Sequence, residues 1–61
     1  MALYASNINV YRGNQKIYYG EVEYVSEPKQ YEVNEVFIRD LNKRYKVIIC
    51  SDVWLCIVEE L

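Results

Sequence analysis

Histidine is missing from this chain of 61 residues, and glycine, cysteine and proline are scarce at two, two and one copies. Without His, the usual base that activates a Ser or Cys nucleophile is gone, and a zinc site loses its commonest nitrogen ligand. Gly13 and Gly20 stand alone, so no glycine-rich loop is present to cradle a phosphate. Cys50 and Cys56 are six positions apart, unlike the Cys-x-x-Cys of zinc and redox sites, and two cysteines are too few for a secreted disulfide scaffold. They are expected as buried, reduced thiols, which places the protein in the cytoplasm. The opening MALYASNINV has neither the basic flank nor the long apolar centre of a signal peptide. The longest apolar stretch is broken by Ser51 and Asp52 and falls short of the roughly 20 residues that cross a bilayer. These absences predict a protein that is not an enzyme, holds no metal or cofactor and does not enter a membrane.

Strong charge is lacking too. A net charge of −2 is far from the basic excess of a freestanding nucleic-acid binder. The distribution is less even than the total. RDLNKRYK, residues 39–46, carries Arg39, Lys43, Arg44 and Lys46 against Asp40 alone, whereas Glu59 and Glu60 close the chain with no cation beside them in sequence.

What the chain does contain is apolar and aromatic. Hydrophobic residues make up 52%, too many for a disordered tail. Seven of the nine aromatics are Tyr, whose apolar body and polar tip suit half-buried surfaces. Val, Ile and Tyr recur without a helical period, so the chain reads as strands. Gly13-Asn14 suits a two-residue hairpin loop, which would pair Tyr11 with Lys16, Val10 with Ile17, Asn9 with Tyr18 and Ile8 with Tyr19. Ile17 and Tyr19 differ in parity from Val22 and Tyr24, and a bulge at Gly20 would bring all four to one face. Pro28 marks the next turn; a four-residue loop SEPK would pair Tyr24 with Tyr31 and Val22 with Val33. EVFIRD supplies a strand with Val36 and Ile38, or Phe37, inward. Asn42 in DLNK can take a left-handed conformation. RYKVIIC and VWLCIV finish the chain as two strands, with a terminal helical turn capped by Ser51 as the competing reading.

The expectation is a single all-β domain over residues 1–61: a five-stranded antiparallel meander forming a small SH3-like barrel or a curled open sheet. The first half alternates polar and apolar residues, as a sheet with one wet face does. The run VIICSDVWLCIV, residues 47–58, is apolar on both parities. One parity fills the core. The other is covered by tight closure of the barrel, by residues 1–5, by a second copy, or by another protein. A domain this small buries only about 60% of its unfolded surface, so a twofold homodimer is the favoured cover, with Val53, Trp54, Leu55 and Ile57 near the interface.

Carboxylates Glu21 and Glu23 alternate with Val22 and Tyr24 as a solvated face would, and Glu59/Glu60 give no acid–base signature. The binding candidates are Tyr11, Tyr18, Arg39, Lys43, Arg44, Tyr45 and Lys46, a set of cations and rings that suits an acidic protein surface. The same set suits nucleic acid, with cations for phosphates and Tyr for stacking. The function expected is a small protein-binding module, the kind of accessory protein a phage or mobile element uses to occupy or inhibit a larger host protein. The alternative is a nucleic-acid-binding barrel.

Overall fold

The computed structural model describes residues 3–61, and among them every regular element is a strand. Strand β1 runs Leu3–Arg12, β2 Gln15–Tyr24, β3 Asn34–Ile38, β4 Lys43–Ser51 and β5 Trp54–Glu60. Consecutive strands pair antiparallel, and β1 pairs β5 in parallel to close a barrel consistent with the small SH3-like kind. The parallel seam follows from arithmetic: in a meander with an odd number of strands, the first and last run the same way. The terminal helical turn is not formed. β5 is held as a strand on both edges, by β4 and by β1, so its backbone groups find partners in ladders.

The interior is made by period-two alternation. Ile8 and Val10 of β1, Val22 and Tyr24 of β2, Val36 and Ile38 of β3, Tyr45 and Val47 of β4, and Leu55 of β5 are buried in one cluster. In β3 it is therefore Val36 and Ile38 that point inward. Leu3, Ala5, Ile17, Tyr18, Ile49 and Ile57 pack against its rim. Leu3 and Ala5 thus contribute to the core as part of β1; Met1 and Ala2 of the proposed covering segment lie outside the described residues.

The first hairpin turns at Gly13-Asn14, with Gly13 at φ 60°. Tyr11 faces Lys16 as expected, but the register then slips by one, so that Val10 faces Tyr18, Asn9 faces Tyr19 and Ile8 faces Gly20. The extra residue is Ile17, a bulge that the turn chemistry alone does not reveal. Its effect is to turn Tyr18 toward the core and leave Tyr19 58% exposed, so Tyr19 does not share the face of Val22 and Tyr24. A second irregularity falls on β1 opposite Gly20, between Ala5 and Ile8, where Asn7 takes φ 60°. The bulge expected at Gly20 is thus carried by β1 opposite it, and the irregularity of β2 falls at Ile17 instead.

The expected hairpin around Pro28 is replaced by a nine-residue loop, residues 25–33. β2 meets β3 only through Glu23↔Phe37 and Tyr24↔Val36. Tyr31 is 95% exposed at φ 64°, and Val33 also faces out, so neither pairs with β2. Asn34 explains the long loop. Its Oδ1 accepts from the Lys29 amide at 2.8 Å, and its Nδ2 donates to the carbonyls of Lys29 at 2.9 Å and Glu32 at 3.1 Å. One buried side chain thus ties the loop back on itself. The β3–β4 turn places Asn42 at φ 54°, the left-handed conformation its residue type allows.

Candidate binding surface

Because β4, β5 and β1 are neighbours in the closed barrel, residues paired across them line up on the outer wall. Ile48 of β4 faces Cys56 of β5, and Cys56 faces Tyr11 of β1. One step along, Trp54 faces Asn9, which faces Tyr19 of β2. Two rows therefore share one surface, with Tyr11 and Trp54 packed at 5.2 Å between ring centroids and 51° between planes. Asn9 fixes the approach of Val53, donating from its amide at 2.8 Å and its side chain at 3.1 Å to the Val53 carbonyl. The Lys16 ammonium lies 5.8 Å from the centre of the Tyr19 ring and borders the aromatic group.

The four residues expected at an interface divide between the two sides of the wall. Leu55 is a core residue and Ile57 packs against the core, whereas Val53 and Trp54 remain outside, Trp54 44% exposed. Ile48 and Val58 are exposed as well. The doubly apolar run thus has the division its parity requires: Val47, Ile49, Leu55 and Ile57 inward, Ile48, Trp54 and Cys56 outward.

Cys50 and Cys56 are a correction. They are not buried thiols but a disulfide joining β4 to β5, with Cα atoms 6.5 Å apart. Cys50 is the extra residue of a bulge between Ile49↔Leu55 and Ser51↔Trp54, and it is exposed; Cys56 is half-buried. Cys56 shares the outer side with its exposed partner Ile48, and the bond to it from exposed Cys50 sets both sulfurs on the outer wall, beside the aromatic rows.

The expected cation and tyrosine platform does not assemble. Tyr45 is buried inside the barrel, where it offers no ring for stacking. Tyr11 belongs to the Trp54 group. Tyr18 spans from β2 toward the β3–β4 turn, donating to the Glu21 carbonyl at 2.8 Å and reaching Asp40 at 3.3 Å. Burial, and then the Asp40 carboxylate, raise its hydroxyl pKa. Arg44 pairs with Glu35 at 3.4 Å and Lys46 with Glu59 at 4.0 Å, both on the outer wall at the far end of β4 from Cys50. Arg12 pairs with Glu60, so both terminal glutamates have cation partners brought by the fold. Arg39 and Lys43, in and beside the β3–β4 turn, have no ion pair among the described residues.

A cleft of about 380 Å³ opens between the 25–33 loop and the β3–β4 wall, lined chiefly by Glu27, Lys29, Glu32, Asn34, Glu35 and Lys46. Its charges are mixed in sign, three glutamates against two lysines, and Asn34 spends its polar atoms on the loop. Among the described residues no three acidic or sulfur side chains converge as a metal would need, and no helix is long and apolar enough to cross a membrane. Comparison with protein-family models, with curated proteins and with solved structures gave no match.

Proposed function

We propose that this chain works by binding rather than catalysis, and that the outer wall of β4, β5 and β1 is its contact surface. The observation that carries the reading is Trp54, held outside the barrel against Tyr11 and flanked by Ile48, Val53 and the cysteine bridge. Trp and Tyr dominate the energetics of protein interfaces, and a rigid sheet presents them without an ordering cost.

The occupant we favour is a second copy, meeting the first across a twofold axis. A standard interface takes about 800 Å² from each partner, roughly a fifth of this chain's 4261 Å². A barrel measuring 31 × 26 × 22 Å offers one broad side of that order. A host protein inhibited by the same surface, as expected of a phage or mobile-element accessory protein, is the other protein partner it suits. Nucleic acid fits less well, because Tyr45 is interior and Arg44 and Lys46 are already paired. The cysteine bridge favours an oxidising compartment over the cytoplasm expected from cysteine count.

Sedimentation velocity across a range of concentrations tests the reading. The expected result is a dimer of the 7.3 kDa chain that Trp54→Asp converts to a folded monomer. A wild-type monomer at all concentrations up to about a millimolar, the weak end of specific affinities, removes the dimer. Oligonucleotide binding that falls log-linearly with salt would transfer the surface to nucleic acid.

A further inference from the structure

Covalent reactivity on the outer wall is concentrated in the Cys50–Cys56 bridge, and its two sulfurs are not equivalent. Cys50 sits on a bulge one residue from the turn that connects β4 to β5, in the open. Cys56 sits mid-strand, paired with Ile48 on one side and Tyr11 on the other, and is half-buried. The bond is not the only tie between these two strands. Val47, Ile49, Leu55 and Ile57 fasten the same two strands to the core from the opposite face, and the β4–β5 ladder runs from Tyr45↔Glu60 to Ser51↔Trp54. The bridge spans five intervening residues, so its constraint on the unfolded chain is near the short-loop limit, where cross-links stabilise least.

We propose that this bridge is a thiol-exchange site, opened from the Cys50 side by a small monothiol. The rate and direction of such exchange depend on which sulfur the attacking thiolate can reach. Here the thiolate attacks Cys50 Sγ. A new S–S bond joins the thiol to Cys50 as the Cys50–Cys56 bond breaks, and Cys56 Sγ departs with the electron pair as a thiolate, then takes a proton from water. A second thiolate completes the reduction by attacking its own kind in the mixed disulfide, which releases Cys50 as a thiolate and yields the disulfide of the monothiol. Between these steps the ladder keeps Cys56 beside Cys50, so the bridge re-forms by the reverse attack whenever the thiol is depleted. The exchange places or removes an adduct on the wall that carries Trp54 while the core stays intact.

The test uses the folded, bridged protein and reduced glutathione at neutral pH under argon, with acid quenching and peptide mapping by mass spectrometry. The expected product carries glutathione on Cys50 and a free thiol at Cys56, with far-ultraviolet dichroism unchanged. The single-serine variants separate access from bridging. With glutathione disulfide as probe, the Cys56→Ser protein should acquire its adduct at Cys50 several times faster than the Cys50→Ser protein does at Cys56. An adduct mainly on Cys56, exchange that requires denaturant, or two unbridged thiols persisting in glutathione disulfide would each overturn the proposal.

Discussion

Tyr18 occupies the space that a side chain at position 20 would need. A Cβ built on Gly20 would lie 2.6 Å from the Tyr18 hydroxyl oxygen, and Gly20 holds φ 155°, outside the range L residues favour. Gly20→Ala therefore meets both strain and a displaced hydroxyl, and should cost about 1–3 kcal/mol in urea denaturation. Tyr18→Phe should cost about 1 kcal/mol by removing the bonds to Glu21 and Asp40. Since the two changes break the same contact, their costs should fall short of additivity in the double variant. Asn34 is the other residue on which a whole segment depends. Asn34→Ala leaves three backbone groups of the 25–33 loop without their partner. A loss of about 1–3 kcal/mol is expected, with faster protease cleavage confined to that loop. Glycine at position 20 and Pro28 were both visible as punctuation in the sequence. What each does was not, because Gly20 answers to a side chain and the loop after Pro28 is organised by an asparagine six residues further on.

Strand β5 puts core and contact surface on adjacent residues, which makes them separable by mutation. Leu55 is inside, so Leu55→Ala should cost about 2–5 kcal/mol of folding stability. Trp54 is outside, and its truncation should cost about 1 kcal/mol, the scale of its packing on Tyr11. Assembly should fail in both, but only Trp54→Ala should leave a well-folded monomer by dichroism. The run is apolar on both parities, and Leu55 and Ile57, expected at the interface beside Trp54, belong to its core side. The loop-closure relation for a ring this short gives the bridge about 2 kcal/mol, so Cys50→Ala/Cys56→Ala should lower the urea midpoint without unfolding the barrel. Strand β2 shows a different economy. Residues 15–20 pair only with β1, leaving their other edge without a strand partner among the described residues. Lys16 and the Ile17 bulge blunt that edge against pairing with another chain, consistent with placing the contact surface on the wall instead.

At the scale of the molecule, the sequence was most legible where alternation repeats: five strands and the turns at Gly13-Asn14 and Asn42, whereas the inward face of β3 stayed open between Val36 with Ile38 and Phe37. It was least legible where one inserted residue reverses parity, as at Ile17, and where contacts join distant segments. The pair Arg12–Glu60 exists only because the barrel closes, while Lys46–Glu59 and Arg44–Glu35 join neighbouring strands of the meander, and these last two take two cations out of the basic cluster read from RDLNKRYK. Closure also sets how the protein meets alkali. Burial raises the pKa of Tyr24, and burial followed by the Asp40 charge raises that of Tyr18. In the unfolded chain these hydroxyls ionise near the ordinary tyrosine value, about pH 10, while in the barrel they hold their protons beyond it. Below that pH both states are protonated, so the groups leave stability unchanged. Above it the unfolded state loses protons first, and stability must fall as pH rises through the folded values. Urea midpoints measured from pH 8 upward should be flat and then decline beyond about pH 10. Tyr24→Phe and Tyr18→Phe should each make the decline shallower while leaving their own constant offset at pH 8. A decline equally steep in both variants would assign the alkaline loss to other groups.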